Sequence, residues 1–148
     1  MDGKWDARFM EVAELISAWS KDPSSQVGAV IVSSDKTIVS TGFNGLPRGV
    51  EDKEEILNDR ELKNDCTIHA EENAILNATT REVLRGCSIY IHPFPPCSHC
   101  AARIIQSGIT RVVYRAGDIP HRWKKNMAIA REMITDAKLE LLILKARS

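Results

Sequence analysis

In the stretch TIHAEENAI, residues 67–75, a histidine and a glutamate stand two positions apart where an apolar helical pattern begins. Residues two apart on a formed helix point in nearly opposite directions, so His69 and Glu71 do not share a face in mid-helix. They converge over a helix end: with His69 at the entry and Glu71 in the first turn, both side chains reach a centre just beyond the N-terminus. Such a centre needs further ligands, and PPCSHC, residues 95–100, supplies them. Cys97 and Cys100, three apart on a first turn, place both sulfurs on one side, the prolines ahead of them mark the helix start, and the positive helix end favours thiolate. Two thiolates and one imidazole make a three-ligand zinc site whose fourth tetrahedral position is left for water, the arrangement of a catalytic zinc. Water there loses a proton near neutral pH, its pKa falling from ~15.7 to about 7. Glu71, close but not ligating, can carry that proton onward.

Each part also has a plainer use. A histidine at a helix start serves as a cap or a surface residue, and a glutamate there complements the helix dipole. A CxxC opening a helix after a strand fits a thioredoxin-like redox pair as well as it fits zinc, and it also fits cysteines that merely brace the fold. The conjunction tips the balance: H-x-E opening one helix and P-C-x-x-C opening the next, with one strand between, is the signature of zinc nucleobase deaminases.

The elements that must hold these residues follow from periodicity. Trp5, Phe9, Val12, Ala13 and Ile16 recur at helical spacing and predict an amphipathic helix from about Asp6 to Ser20, stopped by Pro23. VGAVIV (27–32) and TIVSTGF (37–43), joined by the turn-like SSDK, predict a hairpin. SIYI (88–91), RVVY (111–114) and LELLIL (139–144) are further strands, each preceded by a helical stretch: 69–79, 97–107 with Gly108 as its stop, and 123–136. Strand, helical crossover and strand imply parallel neighbours, so the expected fold is α/β, a three-layer α-β-α sandwich on a five-stranded mixed sheet whose later strands run parallel. Strand interiors free of charge agree with burial on both faces.

The chain of 148 residues, 43% hydrophobic and 27% charged, has the size of a single domain over 1–148. Its charged segment at about 46–65 reads as a solvated insertion with a short surface helix, or as a regulatory or substrate-covering one. Twenty basic and twenty acidic residues cancel, which favours a small substrate over a long nucleic acid. A nucleic-acid base remains open, since a local basic groove is compatible with zero net charge. No apolar run is long enough to cross a bilayer, and the N-terminal MDGKWDARFM lacks the pattern of a signal peptide. We read the chain as soluble and cytoplasmic, with Cys66 and Cys87 as small apolar core residues. His92, His99 and His121 have no partner at ligand spacing.

Over most of its length the sequence resembles the deoxycytidylate (dCMP) deaminases within the cytidine deaminase-like zinc enzymes. KDPSSQVGAVIV (21–32), GFNGLPRG (42–49), HAEENAI (69–75) and PPCSHC (95–100) match that family's landmarks in order. The resemblance implies one catalytic zinc per chain held by His69, Cys97 and Cys100, with Glu71 as the proton shuttle. The implied reaction is attack of activated water at C4 of cytosine, Glu71 delivering protons to N3 and then to the leaving amine. The product, dUMP, would feed dTMP synthesis. By the same resemblance Asn44 holds the deoxyribose, Val27, Ala70 and Pro95 line the substrate pocket, and Ser24 and Gln26 lie at the phosphate end. It further implies a homo-oligomer, a hexamer, activated by dCTP and inhibited by dTTP with magnesium, the control region including Gly42, Phe43, Asn44 and Gly45. Two features depart from the family pattern. Phe43 stands where a tyrosine is common, and RAGDIPHRWKKN (115–126) lacks an expected tyrosine. Arg115, Arg122, Lys124 and Lys125 are therefore candidates for phosphate recognition or simply a solvated basic face.

Overall fold

The computed structural model describes residues 3–147. The elements run α1 (Gly3–Ser17), β1 (Gly28–Val32), β2 (Ile38–Phe43), α2 (Glu54–Leu57), α3 (Arg60–Cys66), α4 (Ala70–Asn77), β3 (Ser88–His92), α5 (Ser98–Ser107), β4 (Arg111–Arg115), α6 (Lys124–Asp136) and β5 (Glu140–Leu144). Strand order in the sheet is β2-β1-β3-β4-β5. β1 is antiparallel to both its neighbours, and β3, β4 and β5 are mutually parallel. This is the α/β mixed sheet expected from the sequence.

Alternation along β1 divides the core in two. Val30 and Val32 join Phe9, Met10 and Ala13 of α1, with Tyr90 and Val113, on one face. Ala29 and Ile31 join Ala70 and Ala74 of α4, Ala101 and Ile104 of α5, and Ala130 and Ile134 of α6 on the other. Each fully buried aliphatic side chain contributes about 1.5–3 kcal/mol, and a central strand needs such cover on both sides. One helix supplies one layer and three supply the other.

Two glycines set how closely helices lie on the sheet. A Cβ on Gly28 would sit 2.2 Å from the Ala13 carbonyl oxygen of α1, and one on Gly42 would sit 2.4 Å from Ala74 N and 2.5 Å from Ala70 O of α4. Backbone meets backbone at both places. Beneath α1, Asp6 accepts hydrogen bonds from the Tyr90 hydroxyl (2.6 Å) and from Arg111 Nη1 and Nη2 (2.8 and 2.9 Å). All three side chains are buried, so a helix, β3 and β4 are joined by one polar node.

Two expectations need correction. The first helix ends at Ser17, well before Pro23, because Trp19 N and Ser20 N close a turn onto Ile16 O and Ser17 O. The Ser20 hydroxyl then donates to Asn44 O, drawing the chain toward β2. Burial on both faces holds for β1, β3 and β4 but not for β2 and β5, which are partly exposed. They are the sheet edges, and an edge strand is covered on only one flank.

Candidate active site

Both motif helices begin at a metal donor. His69 is the N-cap of α4 and Glu71 lies in its first turn, while Cys97 is the N-cap of α5 and Cys100 follows in that helix's first turn. Just ahead of His69, Gly45 and Ile68 exchange two backbone hydrogen bonds, which close the base of the segment between β2 and α4. The first residue of α5 is capped from α6: Ser98 N donates to Asn126 Oδ1 at 2.7 Å, and Asn126 Nδ2 donates to Ser98 Oγ at 3.0 Å. Gly108, at φ 95°, ends α5 as expected.

His69 Nδ1 lies 3.4 Å from Cys97 Sγ and 3.3 Å from Cys100 Sγ. Zinc bonded to nitrogen at ~2.0–2.1 Å and to sulfur at ~2.3 Å with tetrahedral angles holds those atoms about 3.5 Å apart. The donor atoms of all three residues lie within 4.8 Å of one another. Geometry and donor chemistry therefore both fit one zinc ion. Hydrogen bonding from Cys100 holds the Cys97 thiol down to about 4, against the opposing effect of burial. Sharing its proton with Cys97, and burial, push Cys100 up. His69 is raised to about 9, chiefly by its hydrogen bond with Cys97. A divalent cation entering this group exchanges its protons for metal bonds.

Glu71 is almost fully buried. Burial pushes its carboxyl up to about 7, against the neighbouring His69. A carboxyl titrating near neutrality is suited to accept and return a proton at that pH.

One pocket opens onto this centre. His69, Ala70, Glu71, Pro95 and Cys97 form part of its wall, with Ser24, Val27 and Asn44 from the expected substrate set. Gln26 does not line it: that side chain is exposed and donates to Ser20 O at 2.8 Å. Asn44 is buried and bound on both sides of its amide, its Oδ1 accepting from Val27 N and its Nδ2 donating to Ser25 O, each at 2.8 Å. It braces the loop that carries Ser24 and Val27. Phe43 and Gly45 line a separate surface cleft with Leu46, Pro47 and Leu76, and Gly42 is packed beneath α4.

Sequence reasoning missed much of the wall. Phe94, Trp123 and Met127 give it an apolar side, with Trp123 edge-on to the His69 ring at a centroid distance of 6.4 Å. From α3 come Arg60, Lys63 and Asn64. Lys63 is buried beside Asp22, Nζ to Oδ1 3.0 Å, and donates to Ser24 Oγ at 2.5 Å. Of Arg115, Arg122, Lys124 and Lys125, only Arg122 lines the pocket. Arg115 instead donates to Lys145 O, and Lys124 lines a cavity behind α6. His99 is exposed on α5 and Cys87 is buried, while Cys66 is only partly so. Spacing alone did not mark these residues, because an α3 dense in charge looks the same whether it faces solvent or a pocket.

Residues 3–116 match the model of the cytidine and deoxycytidylate deaminase zinc-binding region. An uncharacterized deaminase in the luxG 3′ region of Aliivibrio fischeri is 46% identical over 143 residues, covering 95% of this chain and 94% of that protein. The deoxycytidylate deaminase of Homo sapiens is 44% identical over 116 residues, 75% of this chain. The chain spans 64% of that human protein's length. In fold, it is similar to the dCMP deaminase of cyanophage S-TIM5 solved with dCMP and dUMP, at TM-score 0.76 and 22% identity over 97% of this chain and 99% of that one.

Proposed function

Because the chain belongs to the cytidine and deoxycytidylate deaminase zinc-binding family, we propose that it hydrolyses dCMP to dUMP and ammonia. The observation that carries this reading is the convergence of His69, Cys97 and Cys100 on one point, with buried Glu71 beside them, where His69, Glu71 and Cys97 line a single pocket. His69, Cys97 and Cys100 would hold the zinc ion. When bound, zinc supplies Lewis acidity that makes water a nucleophile near neutral pH.

This chain's residues do the rest. Glu71 takes one proton of the attacking water and gives it to N3 of the cytosine ring, then takes the remaining proton from the hydroxyl added at C4 and delivers it to the departing amine. Addition at C4 and loss of ammonia leave the 4-oxo group of dUMP, so atoms and protons balance. Ala70, Pro95 and the apolar side formed by Phe94, Trp123 and Met127 exclude bulk water from the ring. Asn44 keeps the Ser24–Val27 loop in place around the sugar.

The test is ammonia release from dCMP, CMP, deoxycytidine and guanine, run with zinc quantification. About one tightly held zinc per chain and fastest release from dCMP are expected. Metal-free protein with a titratable Cys97–Cys100 disulfide would replace this reading with a redox one. Faster release from guanine, or from adenosine or cytidine in tRNA, would replace the substrate.

The proposal extends to control by dCTP and dTTP with magnesium, to a homo-oligomer of six chains, and to a cytoplasmic setting. Its support is the resemblance of GFNG and the charged segment after it to the dCMP branch of the family, and the cleft at Phe43 and Gly45 apart from the zinc pocket. Turnover indifferent to both nucleotides would remove the regulatory part, and a monomer in light scattering would remove the hexamer.

A further inference from the structure

We propose that the cavity between α6 and strands β4 and β5 binds a small organic anion, an apolar ring or chain carrying one carboxylate, and that its occupant acts on the zinc pocket from behind. This cavity is distinct from the pocket onto which His69 and Glu71 open. Its lining is mainly apolar, with Ile134 from α6, Leu141 from β5 and Ile119 from the segment that leaves β4. The region beyond the carboxyl ends of the strands is where open α/β sheets commonly hold ligands. An apolar cavity of about 150 Å³ accepts benzene. At about 250 Å³, this one takes a single ring with a further group attached.

Polar groups in the wall set the charge of that group. Tyr114, near the end of β4, is 8% exposed and lines the cavity, yet its hydroxyl makes no hydrogen bond to any described residue. A buried hydroxyl without an acceptor is costly, so this one calls for a partner. Burial raises its pKa and so keeps it a donor near neutral pH, while the charge of Arg131 opposes that rise. Lys124 and Arg131 stand seven apart on α6, two turns along the same helix face. Both are exposed, neither has an ion-pair partner among the described residues, and no carboxylate lines the cavity. Two unpaired cations and a phenolic donor complement an anion, and arginine binds a carboxylate through paired, charge-assisted hydrogen bonds.

Pro95 and Met127 form part of the wall of both cavities, and Pro95 stands two positions before Cys97. Close-packed walls transmit strain, so a ligand behind these two side chains alters the fit of the base in front of them. The site itself is independent of the deaminase reading, whereas its effect on turnover rests on it.

The experiment uses the zinc-loaded full chain, as wild type, Arg131→Ala, Tyr114→Phe and Ala128→Phe. Arg131 and Ala128 are exposed, and Tyr114→Phe keeps the ring, so the fold is spared. Calorimetric affinities are measured for benzoate, for neutral benzyl alcohol, for phenyl phosphate and for inorganic phosphate, with the KM for dCMP followed with and without benzoate. Benzoate should bind once per chain and more tightly than the other three probes. Arg131→Ala and Tyr114→Phe should each weaken it about tenfold, the effect of losing a hydrogen bond to a charged group. Carboxylates also ligate zinc, and Ala128→Phe separates the two sites, because Ala128 lines only the second cavity. That variant should abolish the binding. In the wild type benzoate should shift the KM for dCMP by about fivefold, a typical coupling between two sites, and in Arg131→Ala it should not.

No benzoate binding by the wild type, affinity unchanged in Arg131→Ala and Ala128→Phe, or benzyl alcohol bound as tightly as benzoate would each overturn the site. Tighter phenyl phosphate would replace the carboxylate by a phosphate ester. Benzoate bound through Arg131 with an unchanged KM would overturn the coupling. The two readings fail separately: benzoate binding lost on Arg131→Ala, without any ammonia release from dCMP, keeps the site and sinks the deaminase, and turnover of dCMP without benzoate binding does the reverse.

Discussion

Glu72 of α4 and Arg103 of α5 form an ion pair, Oε2 to Nε 3.0 Å, that joins the two helices whose first turns carry the metal donors. Glu72 also accepts from the backbone N–H of His69 through Oε1, at 3.3 Å. One carboxylate therefore fixes the entry of the histidine ligand and its distance from the cysteine helix. An exposed pair of this kind adds only about 0–1 kcal/mol to folding, but groups that orient ligands change metal affinity by roughly 10–100-fold. Glu72→Ala should lower zinc affinity about tenfold in a chelator competition while moving the melting temperature little. Arg103→Ala, which leaves the His69 contact intact, should have the smaller effect. The reverse order would show that the pair does not position the site.

Glu71→Gln keeps the size of the side chain and removes its capacity to exchange a proton. Zinc content should stay at the wild-type level, since the three donors that meet are His69, Cys97 and Cys100. Turnover of dCMP should fall by about 10²–10⁴, the usual contribution of a positioned acid or base. Loss of zinc in this variant would make Glu71 a ligand, and near-normal ammonia release would remove its assigned role.

Gly42 and Gly45 stand in the same GFNG motif but face different surroundings. A Cβ on Gly42 would press into the α4 backbone at Ala70 and Ala74, whereas nothing lies within 4 Å of one on Gly45. Overpacking costs about 1–3 kcal/mol, and here the displaced helix begins at His69. Gly42→Ala should lower both urea stability and zinc affinity, and Gly45→Ala should change neither. A tolerated Gly42→Ala would mean that α4 can move off β2 without disturbing the metal donors.

The chemical centre was legible because its information is local. His69 and Glu71 straddle one helix start, Cys97 and Cys100 another, and helix starts leave marks in sequence such as Pro95 and Pro96. The sheet was legible through apolar runs at β1, β3 and β4. What escaped depends on distant placement. Lys63 belongs to the pocket only because α3 folds back onto the Asp22 loop, Trp123 because the segment after β4 returns to His69, and Asn126 because α6 packs over the start of α5. None of these differs in sequence from an ordinary surface residue. The early end of α1 was hidden for the same reason, since Ser20 is captured by Asn44, 24 positions away.

Asp6 gives a stability prediction with a definite sign. Burial would raise its pKa, but hydrogen bonds from Arg111 and Tyr90, with the charge of Arg111, reverse that effect and hold the carboxyl below its ordinary 3.8. A group whose folded pKa lies below its unfolded value stabilises the fold fully above the unfolded value, near 3.9. The stabilisation is lost as pH falls through the depressed folded value. Asp6→Asn leaves Arg111 buried without its carboxylate, and breaking a buried pair from one side costs about 3–5 kcal/mol. Glu140 moderates the loss, since its Oε2 lies 3.3 Å from Arg111 Nε, although that nitrogen makes no hydrogen bond. The lower end of the range is therefore expected at pH 7, read from urea denaturation. As pH falls from about 4 through the depressed folded value, the wild type loses what the variant already lacks, so the gap between the two proteins should narrow. A gap that stays constant from neutral pH into acid would show that the Asp6 charge contributes nothing to holding α1 on the sheet.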